Sequence, residues 1–185
     1  MSDLIKSKER VSEHGEVFTP EHIVLEMIAL INDSIWSDKE YICLEPTCGN
    51  GNFVVEVIKK KIACGLSIFQ AVNTTFGMDI MEDNIFECQE RVLRICLDHE
   101  DDSKKLFRLS CVIVNNIFQV EDSLTYIQNK DWENKKFFDE DPTTEVEETG
   151  LNKFFKKKQT SQILSLSEQD KIKTETKTFL KKVNK

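Results

Sequence analysis

A chain of 185 residues, 39% hydrophobic and 31% charged, is long enough for one sizeable core and too short for two ordinary domains, so one α/β unit with a tail is expected. Its net charge of −8 is uneven: residues 151–185 carry ten lysines against Glu168, Asp170 and Glu175, or +7, which leaves −15 on residues 1–150. An acidic body argues against a nucleic-acid-gripping face on the folded part, and no apolar run approaches the roughly 18 residues of a membrane helix.

The first sixteen residues, MSDLIKSKERVSEHGE, are too polar for a secretory signal, which points to a soluble, cytoplasmic protein. From Glu21, the residues Ile23, Val24, Met27, Ile28, Ile31 and Ile35 recur at the spacing of one helix face, with Thr19-Pro20-Glu21 as the start. Tyr41 to Leu44 is a short apolar run that ends at Glu45-Pro46. Gly49 and Gly51 follow, then an apolar periodicity through Phe53, Val54, Val57, Ile58 and Ile62: strand, glycine turn, helix.

Ser67 to Val72 predicts a second helical piece, and Thr74 to Met78 a strand that stops at Asp79. Glu82 to Leu97 predicts a helix with Ile85, Cys88, Val92 and Cys96 on one face. Leu106 to Val114 is a mixed stretch leading through Asn115-Asn116-Ile117 to Asp122-Ser123-Leu124. Strands alternating with helices imply a doubly wound, mostly parallel sheet. Beyond Trp132 the pattern fails, so residues 1–139 are read as the folded domain and residues 140–185 as an acidic linker and a Lys-rich tail, flexible or loosely helical.

The chemistry-bearing stretch is Leu44-Glu45-Pro46-Thr47-Cys48-Gly49-Asn50-Gly51-Asn52-Phe53. Glycines let backbone approach a ligand closely, and the following helix N-terminus favours an anion. Glu45 at the strand end suits an ammonium, so a ligand with both groups of an amino acid is implied. Two glycines after a strand also occur in plain tight turns, and context decides between the readings. Gly77-Met78-Asp79-Ile80 closes the next strand at the same sheet edge, where nucleosides bind and an acid can accept both ribose hydroxyls. Asp79 also suits a helix cap.

Together with Gly15-Glu16-Val17-Phe18-Thr19-Pro20, these motifs resemble the adenine-N6 DNA methyltransferases of restriction-modification systems, in the order whose cofactor motifs precede the catalytic one. The resemblance covers residues 15–139. It implies a Rossmann-like methyltransferase fold that uses S-adenosylmethionine. By position, Phe18, Thr19 and Pro20 would line the methionine end, and Glu45, Pro46, Cys48, Gly49 and Gly51 would form the main cofactor loop. Asp79 would take the ribose and Ile80 would pack on the adenine. Residues 116–124 are similar to the family's N-I-x-x-x-D-x-L region, which makes Asp122 the acceptor from the adenine amine, although a helix cap suits it nearly as well.

Cys48 reads as a packing residue rather than a nucleophile, because no His or Lys stands near it to generate a thiolate. The six cysteines form no C-x-x-C pair, and His14, His22 and His99 are isolated, so no metal site and a reduced interior are expected.

The family's [NDS]-P-P-[YFW] catalytic loop is not found in these residues. The prolines are Pro20, Pro46 and Pro142, none preceded by Asn, and Asp141-Pro142-Thr143-Thr144 lacks the second proline and the aromatic. The expectation is therefore an incomplete sheet that binds cofactor. It would be inactive alone and would meet DNA through a second chain or further domain, with a complementing methyltransferase or specificity subunit as partner. The alternative is a non-catalytic cofactor-binding or interaction module.

Overall fold

A computed structural model describes residues 4–129. Phe138-Asp139, the Asp141-Pro142 remnant and the linker and tail assigned to residues 140–185 lie outside them.

The first element, α1 (Lys8–His14), was not expected from the sequence. Ser7 caps its start by accepting from Arg10 N–H, and Gly15, at φ 65°, closes it in the left-handed region. The apolar periodicity from Glu21 becomes two helices, α2 (Glu21–Ala29) and α3 (Asp33–Trp36). The chain breaks at Asn32, which is extended, and its side chain accepts from Ser34 N–H at 2.9 Å to start α3. Residues 31 and 35 thus keep helical spacing in sequence without sharing one helix.

Strand β1 (Cys43–Glu45) is followed by α4 (Asn52–Ala63) and α5 (Ile68–Asn73). Ser67 and Gln70 form a reciprocal capping box at the start of α5. Then come β2 (Thr75–Asp79), α6 (Glu82–His99), α7 (Ser103–Asn116), β3 (Ile117–Gln119) and α8 (Ser123–Gln128). The mixed stretch from Leu106 is the interior of α7. Asp102 caps that helix by accepting from Lys104 and Lys105 N–H, and Leu109, Val112, Ile113 and Asn116 form its buried face.

The three strands are parallel in the order β1-β2-β3, with Glu45 level with Gly77 and Gly77 level with Ile117. All five residues of β2 are buried, as a central parallel strand covered by helices requires. Among the described residues the chain winds in one direction only, from β1 outward. The reversal that makes a sheet doubly wound is not within them, so what is established is an α/β arrangement on a three-stranded parallel sheet.

A core of Val24, Ile28, Trp36 and Val57 packs α2 and α3 against α4, with Cys43, Phe53 and Cys64 partly buried against it. Burying such side chains stabilises by about 1.5–3 kcal/mol each. That fixes the segment before α2 beside the glycine turn. No helix among the described residues is long and apolar enough to cross a membrane.

Candidate functional site

β1 and β2 run the same way, so both end at one edge. Glu45 pairs with Gly77, and Asp79 lies two residues further along β2 on the same face of the pleat, since strand side chains alternate. The expected acids therefore stand on neighbouring strand tips. The turn after β1 stays tied to β2: Cys48 N–H donates to Met78 O at 2.8 Å and Gly49 N–H to Asp79 Oδ2 at 2.9 Å. Asp79 Oδ1 accepts from Met81 N–H at 2.8 Å and from Asn84 Nδ2 at 3.2 Å. Both oxygens of Asp79 are thus engaged, and the carboxylate clasps the glycine turn to the start of α6.

Gly49 and Gly51 have φ of +51° and +93°. A Cβ on Gly49 would lie 3.1 Å from the Phe18 ring, and one on Gly51 would lie 2.5 Å from Cys88 Sγ on α6. The glycines therefore admit Phe18 on one side and α6 on the other. Gly77 plays a similar part beneath the turn, where a Cβ would lie 3.1 Å from Cys48. Cys48 is buried. A hydrogen bond with Cys88, together with burial, holds its thiol far above the usual range, which leaves no thiolate for nucleophilic work.

The segment from Gly15 to Pro20 lies against this turn. Asn52 Nδ2 donates to Thr19 O at 2.8 Å, Pro20 is the residue before α2, and the Phe18 ring is buried. A polar latch holds the segment to α6. Arg10 pairs with Glu16 and Asp83, each at 2.6 Å, and Lys6 with Asp83 at 2.9 Å and Glu87 at 3.0 Å. Asn84 Nδ2 also donates to Glu16 Oε2 at 2.8 Å. The Arg10 guanidinium, helped by Lys6, holds the Asp83 carboxyl well below the usual carboxylate range. On the other side of the turn, Arg91 donates to Asn50 O and to Asn52 Oδ1, and Asn50 Nδ2 donates to Glu87.

Glu45, half-buried, accepts from Thr47 N–H and its hydroxyl, both at 3.2 Å, and Pro46 lies between them in the turn. Ile80 is 47% exposed and joins Gln119, Val120 and Glu121 around an open hollow of about 370 Å³. Val120 N–H to Asp79 O and Gln119 Nε2 to Ile80 O hold its walls together. Asp122 caps α8, accepting from Leu124 N–H, Thr125 N–H and the Thr125 hydroxyl, and the hydroxyl contact leads in lowering its pKa. The cap alternative is thus how Asp122 is used here. A second hollow, of about 330 Å³, lies among Ile62, Phe69, His99, Lys105 and Leu109 and includes none of the expected site residues. None of the six cysteines is in a disulfide.

The residues fit the group that the sequence implies in three respects. The first N–H groups of α4 lack intrahelical acceptors and face the turn that follows Glu45. The hollow beside Ile80 is walled by the apolar Ile80 and Val120 and the polar Gln119 and Glu121, which offers a flat base both packing and hydrogen-bond partners. Near them, Glu16 Oε1, Asn50 Oδ1 and Asn84 Oδ1 are buried acceptors with no donor among the described residues. Glu16, Asn84, Arg10 and Cys88 were not singled out from the sequence as site residues. Asn84 was findable, because it precedes Cys88 and Val92 at intervals of four on the buried face of α6. No family profile, curated protein or solved structure matches this chain.

Proposed function

We propose that this chain is the S-adenosylmethionine-binding part of an adenine-N6-specific DNA methyltransferase of a restriction-modification system, with a Rossmann-like sheet completed by residues or a chain beyond those described. The observation that carries the reading is the convergence at one sheet edge of a glycine turn, two strand-tip acids and an N-terminal Phe-Thr-Pro segment whose aromatic ring lies on the turn's first glycine. The three motifs are separated by about 30 residues each in sequence and are brought to one place by the parallel register.

When bound, the cofactor supplies a methyl group on a sulfonium. The start of α4 holds the carboxylate of the methionine arm and Glu45 its ammonium. Phe18, Thr19 and Pro20 cover that arm. Asp79, with about one of its four lone-pair sites still open, orients the ribose, and Ile80 packs on the base. Cys48 and Gly51 keep the turn pressed to β2 and α6, and Pro46 shapes its start. Asp122, engaged as a cap, contributes to the base site through the position of its backbone.

The acidic body, −15 over residues 1–150, leaves DNA contact to another chain or domain, and so does the lack of an N-P-P-Y loop in these residues. A flipped adenine needs such a loop to aim its amine. The second reading, a non-catalytic binding module, draws on the close packing of Phe18 and Cys88 against the glycines, which explains those glycines without any ligand.

Titration calorimetry with S-adenosylmethionine decides between them. Binding is expected in the wild type, with a loss of about tenfold or more in Gly49→Val and Asp79→Ala, the scale of one or two lost hydrogen bonds. Equal affinity in all three proteins would remove the site assignment. Methyl transfer to unmethylated DNA is expected only with a complementing chain present.

A further inference from the structure

The hollow of about 330 Å³ outside the cofactor site is built where four helix ends meet: the end of α4, the start of α5, the end of α6 and the start of α7. Its size is at the small end of ligand pockets, which span roughly 300–1,000 Å³. The floor is carbon, with Leu66, Phe69 and Leu109 buried and Ile62 half-buried beside them. One wall carries a pair of opposite charges. Lys105 Nζ lies 3.2 Å from Glu100 Oε2, with the two side chains 35% and 15% exposed. His99 belongs to the same wall, its ring held by Nδ1–H donation to Ile95 O at 2.9 Å. Each helix end is fixed without any ligand. Gly65 N–H donates to Ile62 O and Glu100 N–H to Cys96 O, both at 2.9 Å, while the Ser67–Gln70 box and Asp102 cap α5 and α7. The hollow is therefore pre-formed, and a ligand that enters it has little ordering of the walls to offset.

We infer that this hollow binds a free α-amino acid with a large apolar side chain, its carboxylate on Lys105 and its ammonium on Glu100. Both wall charges keep capacity for it. Glu100 accepts from Lys105 at Oε2 and from Asp102 N–H at Oε1, 3.0 Å away. The ammonium of Lys105 thus retains about two donors and the carboxylate of Glu100 about two lone-pair sites. A partly exposed ion pair contributes little by itself, so parting it costs little. An α-amino acid carries its two charges on a single carbon, and it turns one ion pair into two by answering each wall charge with its opposite. The apolar side chain then covers the carbon floor, which the chain's own residues leave open to water. Ligands with one charge fit less well. A carboxylate alone leaves Glu100 unanswered and also meets the exposed Asp98 and Asp101 of the same loop, and an amine alone leaves Lys105 without a new partner.

The test uses the full chain, isotope-labelled for heteronuclear NMR, and three probes of one carbon skeleton: L-leucine, isopentylamine, which lacks the carboxylate, and isocaproate, which lacks the ammonium. Leucine is expected to move the amide signals of residues 62–69 and 99–109, with saturation by about 10 mM. Isopentylamine and isocaproate should each bind about tenfold more weakly. Lys105→Ala should abolish the preference for leucine over isopentylamine, and Glu100→Gln the preference for leucine over isocaproate, with the fold of each variant checked by circular dichroism. The inference is overturned if leucine does not saturate those signals, if the three probes bind equally, or if either variant keeps the preference it should lose. None of these outcomes bears on the cofactor reading, because the hollow includes none of its residues.

Discussion

At the scale of single residues, the glycine turn shows how one sequence feature answers two demands. Gly49 and Gly51 were legible as places where backbone needs freedom, and both have positive φ. What was not legible is what comes close to them. Cys88 read as one apolar position on a helix face, yet its Sγ would lie 2.5 Å from a Cβ on Gly51. Asp79 was readable as either a ribose acceptor or a cap. Its bond to Gly49 N–H could not be foreseen, because it depends on the β1–β2 register. Gly51→Ala is therefore expected to destabilise by roughly 2–4 kcal/mol, combining left-handed strain with overpacking. Thermal unfolding should show a Tm lower by several degrees. In the Cys88→Ala background the overpacking part should shrink while the strain remains, so the two changes together should cost clearly less than their sum.

At the scale of elements, the helices and strands from residue 41 to 99 follow their periodicity closely. The failures lie where one pattern conceals two meanings. Leu106 to Val114 read only as a mixed stretch, because the β-branched Val112 to Val114 sits among helix formers; the Asp102 cap and the buried spacing of Leu109, Val112, Ile113 and Asn116 make it helix. The docking of α1 on α6 was invisible for a different reason. Lys6 and Arg10 meet Asp83 across more than 70 residues, and solvated faces anywhere show such charges. The latch has a testable pH signature. The Asp83 carboxyl is held below its ordinary pKa, so its contribution is complete above the unfolded value of about 3.9. It is lost as pH falls below that toward the folded value. Asp83 is about half exposed, so solvent and salt limit the contribution to under about 1 kcal/mol. Urea midpoints of wild type and Asp83→Asn should accordingly differ by a constant amount from pH 5 to 7 and draw together progressively below about pH 4. The gap should also narrow in about 1 M salt. A gap that persists undiminished at pH 3 would assign the loss to something other than the carboxylate's charge.

At the scale of the whole molecule, the sheet has two ends with different duties. Its carboxyl edge carries the turn and the acids, and its amino edge is pinned by a buried cation. Lys61 is fully buried on α4. Its Nζ donates to Tyr41 O at 3.1 Å, just before β1, and to Thr74 O and Oγ1 at 2.8 and 2.7 Å, just before β2. The sequence held the clue, since residues 54, 57, 58 and 61 share one helix face, but a lysine next to Lys59 and Lys60 reads as part of a solvated charge run. Burial pushes its pKa down to about 8, with the neighbouring Cys43 thiol partly opposing that shift. The sign then follows from linkage. Between pH 8 and about 10.4, the ordinary Lys value, the unfolded chain binds the proton that the folded chain releases, so this residue adds stability as pH rises. Full titration of that window corresponds to roughly 3 kcal/mol, at 1.36 kcal/mol per pKa unit. The Cys43 thiol, raised by burial, works the other way in the same range. Lys61 itself draws that thiol down, so wild type and Lys61→Met are both compared in a Cys43→Ala background, which leaves the lysine as the titrating difference. The wild-type midpoint in urea should improve relative to the variant from pH 8 to 10, and parallel curves would mean that Lys61 keeps its proton inside the fold.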